Sequence, residues 1–305
     1  MSKVRAPKSP GRPGQASSWL ATPTLIFLIL VILLPLLITV VYSFLSQPTL
    51  GTGVKWVFST DAYRQIFVQE KLDGTTAFDT RYLKVLWNSF YYAGIATITT
   101  LILGIPVAMW IATRPVRFRA LLVLAVTLPF WTSVLIRTYA VRQILDETGP
   151  IGGFLKIIGV GNSYQILYTP WATIIGLTYT FIPFMILPIY ASAERFDFRY
   201  AEAGYDLGAK RWSVLRRIVI PGIRPGIIAG IALVFIPGLG SFLQPDMLGG
   251  GKTNMIANVI ANNFGQARNW PFGSALSVFL LIFTVLFVLM VTTGARSRGD
   301  QVRLI

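Results

Sequence analysis

Residues 20–44 read LATPTLIFLILVILLPLLITVVYSF, a run without a single charged side chain. About 20 such residues in a helix are enough to cross the hydrocarbon core of a bilayer, which is roughly 30 Å thick. The run follows a basic amino-terminal tail, residues 1–18, and it is longer than the apolar part of a signal peptide. No small-residue cleavage site follows it, so we expect it to remain in the protein as a membrane anchor.

The rest of the 305-residue chain is also strongly apolar. Hydrophobic residues make up 54% of the chain, charged residues 13%, and the mean hydropathy is +0.62, which exceeds what a soluble core of this size buries. Stretches long enough to span a membrane occur at residues 20–44, 85–112, 119–142, 170–192, 219–241 and 272–294. The sequence therefore predicts an all-α, polytopic membrane protein with six transmembrane helices in one domain, residues 19–295, followed by a tail at 296–305.

The distribution of basic residues predicts the orientation of these spans. With the amino terminus in the cytoplasm, the cytoplasmic tails and loops carry 16 Lys and Arg, and the three external loops carry 8. Basic residues near the ends of spans concentrate on the cytoplasmic side. We therefore expect both termini and the loop at 193–218 to be cytoplasmic.

Several classes of function are excluded by what the chain lacks. It contains no Cys and no His, so disulfides, Cys/His zinc sites, haem ligation and His-dependent triads are absent. No Asp, Glu or Lys lies in the middle of a predicted span, whereas an ion-coupled carrier usually needs an embedded carboxylate. We expect no catalytic site, no metal site and no bound cofactor, and we expect the energy for any transport to come from another subunit.

The loop between the fourth and fifth predicted spans has the pattern of a short helix with a defined end. Residues 200–207 can form two helical turns that end at Gly208, since a glycine accepts the left-handed conformation of a helix terminus. A second helix is predicted to start near Ser213 and to enter the membrane, with a kink at Pro221. The result is a short helix across the cytoplasmic mouth of the bundle.

This loop resembles the EAA loop of binding-protein-dependent ABC importer permeases. Glu202 and Ala203 are followed by Gly208 at the spacing of that loop, and later by Ile218 and Pro221. The sequence departs from the family pattern in two places, at Gly204, where Ala is usual, and at Ile220, where Leu is usual. Glycine at position 204 is expected to weaken the first helix by roughly 1 kcal/mol relative to alanine.

The resemblance covers nearly the whole chain and extends to the spermidine/putrescine-type branch, specifically its first permease subunit. Segments that carry it include 56–67, 86–89, 129–139 and 244–250, followed by Trp270 and Pro271. It implies a type I ABC importer fold in a bacterial inner membrane, and a transport subunit that is not itself an enzyme. It also implies four partners: a second homologous permease, two cytoplasmic ATPase subunits and a periplasmic substrate-binding protein.

The resemblance assigns the coupling of ATP hydrolysis to transport to the loop at about 193–221. The residues implied in contact with the ATPase subunits are Glu202, Ala203, Asp206, Gly208 and Pro221. Glu202 would anchor the loop by its charge, and Gly208 would permit the turn. Closure of the ATPase pair would then push the short helix and rock the spans.

Candidates for the translocation path are aromatic and charged residues in or near the outer halves of the spans: Trp131, Arg137, Tyr139, Tyr179, Phe181 and Asp246. Arg137 has two interpretations. It lies 18 residues after Arg119, about 27 Å along a straight helix, so its side chain could reach the outer headgroups. Alternatively, it lies with Trp131 and Tyr139 on a pore face, as part of an outer gate.

The family resemblance points to a polyamine as the substrate. Two alternatives to a polyamine importer remain: an importer for another solute, and a self-sufficient channel. Carboxylates and aromatic faces hold such cations, and Asp246, Asp146 and Glu147 are the outer carboxylates considered. The outer half is nevertheless net positive when Arg137 and Arg142 are included, which suits an amino-acid-like or carboxylated solute equally. A self-sufficient channel would explain six spans but not the spacing of the EAA loop.

Overall fold

The computed structural model describes residues 16–48, 53–70, 76–157 and 165–299. Within these ranges four continuous helices are long and apolar enough to cross a membrane, and the number is six if each of two bent helix pairs is one span. The predicted helical membrane fold with up to six spans is confirmed. Nearly all of the predicted amino-terminal tail, and the carboxyl tail after residue 299, lie outside the described residues.

The helices follow one another with short connections. They are α1 Ala16–Ser43, α2 Asp61–Phe67, α3 Arg81–Ala112, α4 Val116–Thr127, α5 Val134–Leu145, α6 Pro150–Ile157, α7 Pro170–Glu194, α8 Arg199–Asp206, α9 Arg211–Val214, α10 Ile220–Gly222, α11 Arg224–Leu239, α12 Leu243–Gly249, α13 Ile256–Phe264 and α14 Trp270–Gly299. A 3-10 turn at Leu128–Trp131 follows α4, and a π-helical turn at Leu215–Val219 joins α9 to α10. Two short antiparallel hairpins pair β1 Leu45–Ser46 with β2 Lys55–Phe58, and β3 Val68–Glu70 with β4 Thr76–Phe78.

The core of the bundle lies between α3, α7 and α11, which supply most of the main buried hydrophobic cluster. Glycines let the helices approach each other there. A Cβ atom on Gly230 would lie 2.7 Å from Sδ of Met185, and one on Gly104 would lie 2.9 Å from Cγ of the same side chain. Met185 of α7 therefore fills the space between α3 and α11, as expected for membrane helices that associate through small residues.

The two ends of the bundle differ in their connections. The basic end carries the turn at 113–115 and the segment 195–223. The opposite end carries the described parts of the two hairpins, 45–48, 53–70 and 76–80, and the segments 146–157, 165–169 and 250–269. At the opposite end Asp79 receives hydrogen bonds from the backbone N–H of Arg81 at 2.9 Å and from its guanidinium at 2.8–3.0 Å, just before α3 begins. The guanidinium holds the pKa of the Asp79 carboxyl below its usual value.

The third predicted span, 119–142, is not one straight helix. The chain leaves α4 through the 3-10 turn, becomes extended at Thr132 and Ser133, and starts α5 with the Ser133 hydroxyl accepting a hydrogen bond from Leu135 N–H at 3.3 Å. The two halves of this region are bent by 91°. The straight-helix estimate for the position of Arg137 is therefore wrong, because the bend lies between Arg119 and Arg137.

The fifth predicted span, 219–241, is also interrupted, and the kink is not at Pro221. The segment Arg211–Gly222 and α11 are bent by 72°, with the break at Ile223. Proline is tolerated in the first turn of a helix, where its missing N–H has no partner to lose. Pro225 occupies such a position in α11, whereas Pro221 lies within the continuous helical segment Arg211–Gly222, two residues before the break at Ile223.

The segment after α11 folds back into the bundle instead of running along its surface. Gln244 of α12 donates a hydrogen bond to Thr180 Oγ1 at 3.0 Å, and Leu248 packs against Gly176. Thr180 and Gly176 lie ten and six residues inside α7, which corresponds to about 15 and 9 Å from its Pro170 end. Helix α12 therefore lies alongside the half of α7 that begins at Pro170.

Helix α13, like α12, starts inside the bundle and not at its end. The backbone N–H of Ile256 donates to Ser89 Oγ at 2.7 Å, and Ser89 lies eight residues after the start of α3, about 12 Å along the helix. The turn at 250–252 between α12 and α13 has Gly250 and Gly251 with φ of +56° and +77°, a conformation that glycine adopts without strain. Together α12 and α13 form a hairpin of helices embedded in the opposite end of the bundle.

Candidate functional site

The predicted coupling loop forms a helix with a well-defined end. Helix α8 spans Arg199–Asp206, close to the predicted 200–207. At its end the N–H of Gly208 donates to the carbonyl oxygen of Tyr205 at 2.9 Å, and the N–H of Ala209 donates to that of Gly204 at 3.0 Å. This pair of bonds, with Gly208 at φ +79°, is the Schellman closure that the sequence predicts.

One face of α8 packs against the segment that leads into the membrane. Ala201 is buried in a small cluster with Val214 and Val219, and Met109 at the end of α3 packs against the same cluster. Gly204 is buried too, because an added Cβ atom would lie 2.8 Å from Cδ1 of Ile218. Ala201 and Gly204 of α8 therefore contact the 214–219 segment directly, and Met109 joins α3 to the same cluster.

The other face of α8 is exposed and has a mixed acidic and apolar character. Glu202, Ala203 and Asp206 all lie on the surface, and Leu207 is 88% exposed. Large exposed apolar side chains beside carboxylates indicate a surface made for a partner. Pro221 is exposed as well, but it lies in α10 rather than on this face.

A groove of about 530 Å³ lies beside α8, between this helix and the neighbouring ends of α3 and α4. Its lining includes Glu202 and Tyr205 of α8, and Arg119 of α4. Arg119 lies 3.6 Å from Glu194, which accepts a hydrogen bond from Tyr190 at 2.8 Å. No local sequence pattern predicts this cluster, since it forms only where Arg119 of α4 packs beside Tyr190 and Glu194 of α7.

The candidate residues of the translocation path do not form one cluster. Trp131 is 83% exposed, and Tyr139 and Tyr179 are exposed as well, with no ring contact between them in the described parts of the chain. Phe181 is buried in the main core, 6.2 Å from the ring of Phe184. Phe181 therefore serves packing in this conformation.

The side chain of Arg137 is buried within the bundle. Its side chain is 6% exposed, and its guanidinium lies 5.3 Å from the ring of Phe130, which is itself 4.6 Å from the ring of Phe184 near the middle of α7. Atoms Nε and Nη1 of Arg137 have no hydrogen-bond partner among the described residues. Arg142, by contrast, donates to Tyr168 Oη at 2.8 Å.

Asp246 is the candidate whose position the sequence predicted least well. It belongs to α12, which packs against the half of α7 that begins at Pro170, and so it does not lie in a loop. Asp146 and Glu147 lie beyond the end of α5, and Asp146 accepts hydrogen bonds from Thr148. Asp246 belongs to the short helix α12, outside the continuous candidate spans, none of which carries a carboxylate in its middle.

The pattern of the family described as "Binding-protein-dependent transport system inner membrane component" matches residues 74–298, which include every long helix except α1. The chain belongs to this family. It is 39% identical to the spermidine/putrescine transport system permease protein PotB of Escherichia coli over 279 residues, which cover 91% of this chain and 97% of that protein. It is 40% identical to PotB of Haemophilus influenzae over 231 residues, which cover 75% and 81%.

The fold of this permease is also found in a solved transporter. A chain of a bacterial alginate ABC transporter, crystallised with an alginate pentasaccharide-bound periplasmic protein, has a TM-score of 0.70 at 19% identity, over 92% of this chain and 94% of that chain. The predicted type I ABC importer permease fold and the resemblance to the spermidine/putrescine-type branch are confirmed. The permease is a multi-pass inner membrane protein, and its relatives are transport permeases rather than enzymes.

Proposed function

We propose that this permease is the first permease subunit of an ATP-driven, binding-protein-dependent importer for polyamines such as spermidine and putrescine. The main support for a coupled importer is α8, a short helix closed at Gly208 and packed on the 214–219 segment, with Glu202 and Leu207 on its free face. The support for polyamines is the identity to permeases that are named for spermidine and putrescine.

Four further subunits complete the transporter in this proposal: a second permease, two ATPase subunits that hydrolyse ATP, and a periplasmic binding protein. The ATPase subunits dock on the free face of α8. Their closure displaces α8, and the contacts of Ala201 and Gly204 carry the movement to the 214–219 segment and α3. The breaks at Thr132 and at Ile223 are then the natural hinges of the rocking motion.

The basic end of the bundle faces the cytoplasm in this proposal, together with both termini, because the positive-inside bias is 16 to 8. Cysteine probes are simple to introduce, since the chain has no Cys. A membrane-impermeant thiol reagent added to intact cells should label Lys252→Cys but not Ser213→Cys. Labelling of Ser213→Cys from outside would reverse the orientation.

A second class of solute is supported by one observation. The unpaired guanidinium of Arg137 is the kind of group that holds a carboxylate, so a carboxylated or amino-acid-like solute is the alternative substrate. A self-sufficient channel has less support, because a channel has no ATPase subunit for the exposed face of α8 to bind.

The substrate is tested with the complete transporter in proteoliposomes. We expect ATP-dependent uptake of radiolabelled putrescine that an excess of unlabelled spermidine competes, and Glu202→Lys should abolish uptake without removing the subunit from the complex. Asp61→Lys, a charge reversal at the opposite end, is the matched control and should retain uptake. Uptake that only amino acids or anionic solutes compete would refute the polyamine assignment and leave the permease assignment intact.

A further inference from the structure

A cluster of arginines lies in and beside the turn between α3 and α4. Arg114, Arg117 and Arg119 lie within six residues, and the chain has no Asp or Glu anywhere in residues 80–145. Residues 113–118 are all exposed. Since a guanidinium is not deprotonated in proteins, this turn carries a permanent positive charge at the basic end of the bundle.

The three arginines differ in what they contact. Arg119 is used within the chain, because its Nε donates to the carbonyl oxygen of Arg114 at 2.7 Å and its Nη1 lies 3.6 Å from a carboxylate oxygen of Glu194. These two contacts hold the turn beside the end of α7. The guanidinium groups of Arg114 and Arg117 form neither a hydrogen bond nor an ion pair with any residue that the structure describes. Each therefore keeps five N–H donors for a ligand.

Both of these free guanidinium groups lie over aromatic rings. That of Arg114 is 4.7 Å from the centre of the Trp110 ring, and that of Arg117 is 4.8 Å from the centre of the Phe118 ring. Each ring is nearly half exposed. A guanidinium that stacks on a ring is held in place while its N–H edge stays free, so it loses less side-chain freedom when it binds an anion. The two arginines are thus preorganised for an anionic ligand.

The helix surfaces that lead away from this turn are apolar and exposed. On α3 the exposed residues Leu103, Pro106 and Trp110 follow the three- and four-residue spacing of one helix face, and on α4 Leu121 and Leu124 do the same. Helix α3 is long and apolar enough to cross a membrane, so its exposed row faces the hydrocarbon region. Cations at the end of an apolar surface complement a phospholipid, whose phosphate lies above its acyl chains.

We propose that Arg114 and Arg117 bind the phosphate of an anionic phospholipid, whose acyl chains lie along the exposed rows of α3 and α4. The fork of N–H donors on an arginine matches two phosphate oxygens. The two α-carbons are three residues apart and hence within about 11 Å, so one headgroup reaches both side chains. An anionic headgroup is preferred to a zwitterionic one, because the ammonium of the latter is repelled by the second arginine. The bound lipid braces the turn that joins α3 to α4.

A partner subunit is the alternative occupant of this surface, and the arrangement of its residues favours lipid. Protein interfaces place a polar rim around an apolar centre. Here the cations lie at one end and the apolar rows extend from them in one direction, toward the middle of the helices. Tryptophan at the end of a span, as at Trp110, is also typical of the headgroup level of a bilayer.

Native mass spectrometry of the assembled transporter identifies bound lipid by its mass. We expect the wild-type complex to bind phosphatidylglycerol more tightly than phosphatidylcholine with the same acyl chains. Arg114→Gln combined with Arg117→Gln should weaken the tightest phosphatidylglycerol site about 25-fold, since each arginine near an anionic surface contributes about fivefold. Arg216→Gln combined with Arg217→Gln removes the same charge from exposed positions at the same end and is the matched control, which should retain this site.

Fluorescence quenching by lipids with brominated acyl chains locates the bound lipid. A bimane fluorophore is attached to Leu121→Cys, or to Leu37→Cys on α1 as the control, because these leucines are 62% and 61% exposed. At the same low mole fraction, brominated phosphatidylglycerol should quench the probe at position 121 about threefold more than brominated phosphatidylcholine, and the two should quench position 37 equally, as expected when only the first site concentrates anions.

Three results would overturn the lipid site. One is equal quenching of the probe at position 121 by both lipids, and another is an equal loss of phosphatidylglycerol binding in the two double arginine variants. The third is a probe at position 121 that neither lipid quenches while position 37 is quenched, because a partner subunit then covers the turn. The quenching comparison uses the unaltered arginines, so it decides the matter even if the arginine variants fail to assemble.

Discussion

Gly204 of α8 lies so close to Ile218 that a Cβ atom at position 204 would be 2.8 Å from Cδ1 of the isoleucine. Val214 is the other neighbour, with Cγ2 at 3.2 Å from the same point. The family pattern has alanine at position 204, and glycine there lets α8 approach the segment that leads into the membrane. The closest atom is the far end of a flexible side chain, so this contact can adjust by a small shift.

A small and a large side chain at position 204 should therefore have different effects. The small one only shifts Ile218, whereas the large one breaks the contact between α8 and the 214–219 segment. We expect Gly204→Ala to change the free energy of unfolding by less than about 1 kcal/mol, because the gain in helix propensity offsets the shift of Ile218. Gly204→Leu cannot be accommodated without moving α8 away, so uptake should be lost while membrane insertion and copurification of the other permease persist. Uptake by Gly204→Leu at the rate of Gly204→Ala would show that this contact does not transmit movement.

We expect substitutions of Gly208 to act through its left-handed backbone conformation and not through steric contact with neighbouring atoms. A Cβ atom there would meet nothing within 4 Å, but φ is +79°, so Gly208→Ala should cost about 1–2 kcal/mol locally. Gly208→Pro also loses the N–H that bonds to Tyr205 and should abolish uptake. Gly251 has φ +77° and equally open surroundings at the opposite end, so Gly251→Ala is the matched control. Equal effects of Gly208→Ala and Gly251→Ala on uptake would contradict a coupling role.

Arg137 and Arg142 lie on the same helix and should respond in opposite ways to replacement by methionine. Arg137→Met removes a buried charge that has unpaired N–H groups, so the purified chain should become more stable by about 1–3 kcal/mol. Arg142→Met loses the hydrogen bond to Tyr168 and should destabilise the chain by about 1 kcal/mol. Unfolding midpoints in detergent measure both. A lower midpoint for Arg137→Met would show that its guanidinium is satisfied within the chain.

The pair formed by Asp79 and Arg81 predicts a pH dependence of stability. Because the pKa of Asp79 is lower in the folded chain than its ordinary value of 3.8, its stabilising contribution is complete above that value and is lost as pH falls through the lowered pKa. Asp79→Asn should cost about 1 kcal/mol at pH 7, as for other lost helix caps. The difference from the wild-type chain should shrink below pH 3.8. A constant difference down to pH 2 would contradict this interpretation.

Local features of this fold could be predicted from the sequence, and long-range ones could not. The end of α8 at Gly208 depends on one residue and its neighbours along the chain, so the spacing was sufficient to predict it. The break in the third span was missed because the apolar run continues across it. Pro129 and Ser133 were the local signals, since the first enters a 3-10 turn and the second caps α5.

The depth of α12 had no sequence signal. The segment 243–249 is too short and too polar to read as a span, and its position is set by Gln244 and Leu248 binding to α7 residues some 70 positions earlier. Such contacts are known only once the helices are packed. The buried position of Arg137 has the same origin, because it follows from the bend that brings Phe130 against Phe184.

The central claim is that the free face of α8 docks on an ATPase subunit, and photo-crosslinking tests it most directly. Leu207→Cys, 88% exposed on this face, and Ile157→Cys, 84% exposed at the opposite end, are labelled with a maleimide that carries a photoreactive group and are irradiated in the assembled transporter. We predict that Leu207→Cys crosslinks to an ATPase subunit, with a yield that changes when ATP is added, and that Ile157→Cys does not. Crosslinking of Leu207→Cys to lipid alone, or of Ile157→Cys to the ATPase, would contradict the account.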